Sequence, residues 1–265
     1  MIIGQLLRDA TCDNLDAEVL LAHVLGENRE WLVAHGDEEV STEDVALFES
    51  YVKRREEQEP VAYIVGFKEF YGMDFFVDRR VLVPRPETEM LVDKALEYLE
   101  GSGRVLDVGT GSGCMAVSIA RTGGEDVNVD AVDLTDGACE VARINAENQG
   151  VDDRVDVFQS DLLEFAEKGD RYDVIVTNLP YVPEGAGAPK YEPHEALFAG
   201  PDGLRLYERF FEEIINKDIK FRVLIGEFGF GQSKKLGELL NKYFDQKWEI
   251  EKDLAGIDRM FIIKL

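Results

Sequence analysis

The stretch Val105-Leu106-Asp107-Val108-Gly109-Thr110-Gly111-Ser112-Gly113-Cys114 decides the fold. An apolar run ends in three glycines at alternate positions, and a segment with helical character follows, so the chain turns here from a strand into a helix. Glycines tolerate positive φ and let the backbone approach a ligand closely. The spacing is G-x-G-x-G, with Cys114 where the last glycine of the dinucleotide fingerprint would stand, so that fingerprint is not met.

Outward from this turn, strands and helices alternate. Strand candidates are 104–108, 127–132, 154–158, 172–177 and 221–228, with a late strand at 260–263; helical candidates are 114–121, 137–148, 204–215 and 233–243. Alternation at this spacing implies an α/β fold with a mostly parallel sheet covered by helices on both faces. Ligands then bind at the carboxyl ends of the strands.

Those strand ends carry polar residues. The second strand ends in Asp133, 20 positions after Gly113, where a carboxylate can accept from both hydroxyls of a ribose. The third is followed by Asp161-Leu162, an acceptor for an adenine amino group beside an apolar side chain to pack on the ring. In a chain this acidic a loop Asp is commonplace, and it is the recurrence at successive strand ends that singles these two out. The fourth strand ends in Asn178-Leu179-Pro180-Tyr181. The Asn178 side-chain carbonyl and the Leu179 backbone carbonyl are two acceptors that can grip a planar NH2 group, with Tyr181 to pack against it. Asn-x-Pro is also a turn former, but this one follows a strand of the sheet that carries the glycine turn.

Before residue 100 the pattern differs. Ala17, Leu20, Leu21, Val24 and Leu25 form a helical stripe closed by Gly26, and Ser41-Thr42-Glu43-Asp44 opens a second helix with Val45, Phe48, Tyr51 and Val52. From 63 to 83, aromatics and valines punctuated by Gly66 and Gly72 suggest short strands or a hairpin. Pro84-Arg85-Pro86-Glu87-Thr88-Glu89 then leads into a further helix, with proline and acidic residues suited to its start. The expected domains are a helical bundle at 1–62, a hairpin linker at 63–85 and the α/β domain at 86–265.

Composition narrows the class. The chain has 265 residues, 54 Asp+Glu against 29 Lys+Arg for a net charge of −25, and 45% hydrophobic residues, enough for a core. The charge repels phosphate backbones, so stable nucleic-acid binding is not expected. It fits either steering of a basic partner or a high-salt habitat. Apolar stretches fall short of the ~20 residues of a membrane span, so the reading is a soluble, cytoplasmic protein without membrane contact. Cys12, Cys114 and Cys139 lack metal spacing and suit burial as small apolar residues, and His23, His35 and His194 form no constellation with a nucleophile.

Taken together, the glycine turn, Asp133, Asp161 and Asn178-Leu179-Pro180-Tyr181 resemble the S-adenosylmethionine-dependent methyltransferases that modify amino groups, whose signature is Asn-Pro-Pro-Tyr or close variants. Residues 59–66, 69–72, 84–89, Ala196-Leu197, Asp202-Gly203-Leu204, Glu227 with Gly229 and Gln232, and 252–259 narrow this to a resemblance to the HemK-type protein-glutamine methyltransferases, over essentially the whole chain. These act on the Gly-Gly-Gln loop of peptide chain release factors. The resemblance implies a Rossmann-like seven-stranded methyltransferase domain with an antiparallel last strand, a helical N-terminal domain that docks the protein substrate, and a monomer. The implied cofactor is S-adenosylmethionine, with S-adenosylhomocysteine as product.

It also implies roles. Gly109, Thr110, Gly111, Ser112 and Gly113 would line the methionine part of the cofactor, Asp133 its ribose, Asp161 and Leu162 its adenine. Asn178, Leu179, Pro180 and Tyr181 would hold the substrate glutamine, with Asn178 also bordering the cofactor. Pro84, Arg85, Pro86, Glu87 and Thr88 would wall the pocket; a surface ion pair is the other reading of Arg85 and Glu87. No metal is implied. One departure stands out: Leu179 replaces the family proline, which a backbone carbonyl role permits. The alternatives are methylation of another amino group, on a ribosomal-protein glutamine or a nucleobase, or a cofactor-binding interaction module without activity.

Overall fold

The computed structural model describes residues 1–187, 189–245 and 247–265. It divides into two compact units, Met1–Phe67 with Pro189–Tyr191, and Lys68–Ala188 with Glu192–Leu265. The first holds α1 (Ile3–Asp9), α2 (Asn14–Leu25), α3 (Arg29–Ala34), α4 (Thr42–Glu56) and α5 (Val61–Val65). Local chemistry starts and stops these helices. The Asp13 carboxylate accepts the Leu15 N–H and the Ser41 hydroxyl accepts the Asp44 N–H, while Gly26 ends α2 with a left-handed backbone. Ala17, Leu20 and Leu21 of the predicted stripe are buried with Leu32, Phe48 and Val52 in one apolar cluster.

Next in the chain is a two-stranded hairpin, β1 (Phe67–Phe70) and β2 (Met73–Phe76). The hairpin starts later than its aromatic pattern suggests, because Tyr63 and Val65 lie in α5. A 3-10 turn at Pro86–Thr88 runs into α6 (Glu89–Leu99), and then come β3 (Ser102–Val108), α7 (Cys114–Thr122), β4 (Asp126–Asp133), α8 (Asp136–Asn148), β5 (Val155–Gln159) and β6 (Arg171–Thr177). α9 (Arg205–Asn216), β7 (Lys220–Glu227), α10 (Ser233–Phe244), β8 (Trp248–Lys252) and β9 (Asp258–Lys264) complete it.

The seven strands pair in the order β5-β4-β3-β6-β7-β9-β8. β5 through β7 are parallel, and β9 is antiparallel to both β7 and β8. Successive residues of the central strands are buried on opposite faces: Val105, Val129, Val174 and Val223 face the cluster containing α6 and α7, and Leu106, Ile175 and Leu224 face the cluster containing α9 and α10. A sheet covered on both sides reads as a continuous apolar run, which is why the strands are legible in the sequence. β3 leads outward to β4 and β5 while β6 leads the other way to β7, so chain direction across the sheet reverses between β3 and β6. A crevice opens at such a switch point.

Close packing on β7 can be tested directly. A Cβ at Gly226 would lie 2.4 Å from the Phe261 ring. Gly226→Ala is expected to cost about 1–3 kcal/mol through overpacking and to lower Tm by several degrees, read by thermal denaturation.

Candidate active site

The turn after β3 is held from below by β4. The Gly109 and Thr110 amides both donate to the Val132 carbonyl at 2.9 Å. Gly109, Gly111 and Gly113 have φ of +76°, +55° and +78°, the left-handed region that glycine enters without strain. Space matters as well: a Cβ on Gly113 would meet Ala142 at 3.1 Å, whereas one on Gly111 would meet nothing within 4 Å. The turn is therefore packed on its inner side and open at its middle glycine. Asp133 ends β4 and accepts the Gly111 N–H at 3.0 Å through Oδ2 and the Thr135 N–H at 3.1 Å through Oδ1. Burial raises its pKa against the pull of these donors.

Beneath the turn lies Asp107, wholly buried. Its Oδ2 accepts from the Thr110 hydroxyl at 2.7 Å and the Ala116 N–H at 3.2 Å, and among the described residues its Oδ1 has no hydrogen-bond partner. Desolvation pushes this carboxyl up to about 7.

After β5, Asp161 pairs with Arg209 at 3.0 Å. Leu162 is buried with φ +50°, a strained conformation for a branched side chain that no sequence pattern signals.

At the tip of β6 the Asn178 amide nitrogen donates to Thr88 Oγ1 and to Glu227 Oε2, both at 3.2 Å. Glu227, at the end of β7, also accepts from the Thr88 hydroxyl at 2.7 Å and the Tyr181 hydroxyl at 2.9 Å. Tyr207 Oη donates to the Glu227 carbonyl oxygen. Gln232 donates to the Tyr181 carbonyl at 2.9 Å and the Asp202 carbonyl at 3.0 Å, which fixes the chain leaving the tip. Leu179 is 3% exposed, and its Cδ2 lies 3.3 Å from where a Cβ on Gly109 would sit, so the two strand tips touch.

Arg85 reaches Glu192 at 2.7 Å and 2.8 Å, and Glu192 also takes the Val83 N–H at 3.4 Å. The Glu192 side chain is 1% exposed, so this ion pair ties the loop after β6 to the segment before the 3-10 turn. The sequence pairs Arg85 with its neighbour Glu87; the fold instead gives it a partner 107 residues away and leaves Glu87 exposed.

An open cavity of about 1030 Å³, solvent mouth included, brings most of these residues together. Gly109, Thr110, Gly111, Ser112, Asp133, Asp161 and Leu162 line it, as do Asn178, Leu179, Pro180, Pro84, Arg85 and Thr88. Tyr181, Gly113, Pro86 and Glu87 are outside the lining. Tyr181 spends its hydroxyl on Glu227, Gly113 caps α7, and Pro86 and Glu87 are on the surface. Sequence reasoning assigns no role to Glu227, Glu192, Tyr207 or Gln232. Glu227 is nonetheless visible as an acid ending an apolar strand, the signal that marks Asp133.

Asp107 gives the site a pH signature. Folding raises its pKa from an ordinary carboxyl value to about 7, so between pH ~4 and ~7 the native chain holds a proton that the unfolded chain has released. Stability then falls as pH rises through this window. Asp107→Asn keeps an oxygen for Thr110 and Ala116 and removes the titration, so its stability relative to the natural chain should grow by about 2–4 kcal/mol from pH 5 to pH 8. Parallel Tm-versus-pH curves for the two would contradict this.

Comparison with known proteins places this geometry. Residues 3–66 match the family model described as PrmC N-terminal domain and residues 86–198 that described as methyltransferase small domain. The release factor glutamine methyltransferase of Bacillus anthracis is 36% identical over 96% of this chain and 93% of its own. That of Rhodopirellula baltica is 39% identical over 93% and 87%, and that of Bacillus subtilis 38% over 96% and 92%. Among solved structures, a methyltransferase from Pyrococcus furiosus aligns with TM-score 0.53 at 18% identity over 82% of this chain and 96% of its own. A T. thermophilus 16S rRNA methyltransferase in complex with AdoMet and guanosine aligns with TM-score 0.53 at 19% identity over 75% and 50%, a likeness of fold. With the helical N-terminal unit, the seven-stranded sheet and near full-length identity of this order, the chain belongs to the release factor glutamine methyltransferase family.

Proposed function

We propose that this chain transfers the methyl group of S-adenosylmethionine to the side-chain amide nitrogen of the glutamine in the Gly-Gly-Gln loop of a peptide chain release factor. The observation that carries the reading is that one cavity is lined both by the glycine turn with Asp133 and by the Asn178-Leu179-Pro180 tip. A cofactor cradle and an amide grip thus share one space, and the names of the relatives supply the substrate.

The residues present fit this cofactor. Gly109, Thr110, Gly111, Ser112 and Gly113 offer a turn whose middle glycine is open, which suits a methionine moiety lying against backbone. Asp133 is an acceptor-only group with lone pairs left for a ribose diol. Asp161 and Leu162 offer an acceptor and a buried apolar surface to an adenine. When bound, S-adenosylmethionine supplies a methyl group on a positively charged sulfur, an electrophile that needs no acid to activate it.

The chain's own task is then placement. An amide nitrogen is a poor nucleophile because its lone pair is delocalised into the carbonyl. Asn178 Oδ1 and the Leu179 carbonyl oxygen take one NH2 hydrogen each, which fixes the plane of the glutamine amide and directs the nitrogen lone pair at the methyl carbon. Such orientation is the main lever available to a site of this kind. Pro84, Arg85 and Thr88 wall the approach, with Arg85 tied to Glu192.

The N-terminal helical domain docks the protein substrate in this reading, and the chain acts as a cytoplasmic monomer without stable nucleic-acid contacts. Among the described residues no helix is long and apolar enough to cross a membrane.

Incubation with labelled S-adenosylmethionine and a release factor tests the reading. Label should enter the release factor and be lost when the loop glutamine is changed to alanine; label only on a ribosomal protein or nucleic acid, or cofactor binding without transfer, would refute it. Asn178→Ala should lower kcat by about 100-fold with cofactor Kd nearly unchanged, while Asp133→Ala should raise cofactor Kd by about 10-fold or more.

A further inference from the structure

We propose that Glu227 is a positioning residue that holds the Asn178 side-chain amide in the one flip state that presents its oxygen to the substrate nitrogen. This rests on the function proposed above and names the group that makes the amide grip possible.

Three side chains from two segments distant in sequence converge on this one carboxylate, which is 1% exposed: Thr88 from the 3-10 turn, and Asn178 and Tyr181 from the tip of β6. An ionised carboxylate only accepts hydrogen bonds. The Thr88 proton is directed at Glu227, so the Thr88 oxygen is left to accept. Asn178 therefore faces two acceptors on one edge, and only its NH2 end can meet them. Its Oδ1 must occupy the opposite edge, and among the described residues no protein group donates to it.

The consequence is chemical. A primary amide has two nearly isosteric ends, and rotation about its last side-chain torsion exchanges them. Without a discriminating neighbour both states are populated, and the wrong one turns an NH2 group toward a substrate NH2 group, donor against donor. Glu227 removes that state: the flipped amide would press its carbonyl oxygen on a buried carboxylate and leave two donor bonds unmade. The device works with the carboxylate ionised. A proton on Glu227 would convert one accepting oxygen into a donor and compete with Thr88, Asn178 and Tyr181 for the same contacts.

The surroundings make that proton a practical probe. Burial raises the Glu227 pKa; the donors Thr88 and Tyr181 and the positive Arg259 of β9 oppose the rise, and Glu87 adds to it. Tyr207 of α9 faces the Glu227 backbone. Glu227 thus protonates at higher pH than an ordinary glutamate, so turnover should fall on the acid side as pH drops through that raised value.

The test compares the natural chain with Glu227→Leu and Glu227→Gln. In Glu227→Leu, kcat for release factor methylation should fall by about 100-fold while cofactor Kd and release-factor KM stay within about threefold. Glu227→Gln, whose carbonyl oxygen can still accept from Thr88 and Asn178, should recover kcat to within about tenfold and lose the acid limb of the natural pH profile. A role confined to holding the fold together would instead move Tm and cofactor Kd together with kcat.

A second readout needs no substrate. With 15N-labelled asparagine, the Asn178 side-chain NH2 should give slowly exchanging, displaced proton resonances that persist in Glu227→Gln and disappear in Glu227→Leu. Unchanged resonances in Glu227→Leu, or kcat within threefold of the natural value in that variant, would overturn the proposal. Failure of the natural chain to methylate a release factor would refute the functional reading instead, and the amide resonances would still decide what Glu227 does to Asn178.

Discussion

Parallel pairing of β3 with β6 is the constraint on which the rest depends. Val108 sits opposite Thr177, and the Thr177 hydroxyl donates to the Val108 carbonyl at 2.8 Å, so the ends of two adjacent strands are locked in register. Neighbouring strands lie about 4.8 Å apart. The segments leaving these two strands, the glycine turn from one and Asn178-Leu179 from the other, must therefore share a crevice. Nothing in the loops has to be strongly attracted for this to happen; the ladder brings them together, and the touch of Leu179 on Gly109 is its result.

Several polar groups around that crevice are paired with partners of opposite hydrogen-bonding sense. The Val132 carbonyl takes two turn amides, Asp133 takes a third, and Glu227 gathers three side-chain donors. An orphaned buried group costs about as much as a lost hydrogen bond or more, so such pairings fix orientation at little net gain in stability. Asp107 departs from the pattern, with one oxygen unpartnered among the described residues and a pKa that burial raises to about 7.

Most of the sheet is legible in the sequence because its strands are buried on both faces and so read as apolar runs bounded by turn residues. The edge is not. β8, Trp248–Lys252, alternates apolar and charged residues and is only half covered, so its signal is weak beside the core strands. The second half of the short helix Val61–Val65, from Tyr63 on, reads as strand because tyrosine, isoleucine and valine favour strands; tertiary burial of Ala62, Tyr63 and Ile64 decides otherwise. At the site, residues that sit on strand ends are visible, since position along a strand is a local property. Their partners are not: Thr88 meets Glu227 across 139 residues, and Arg85 meets Glu192 across 107. Long-range pairing of this kind depends on the whole fold, and a single sequence contains no local trace of it.

The most direct measurement is a crystal structure of the chain with S-adenosylhomocysteine and a peptide containing Gly-Gly-Gln. The glutamine side-chain nitrogen is expected within hydrogen-bond distance of both Asn178 Oδ1 and the Leu179 carbonyl oxygen, with the Asn178 NH2 still turned to Glu227. A glutamine nitrogen bonded to other groups, or an Asn178 amide whose NH2 faces it, would contradict this mechanism.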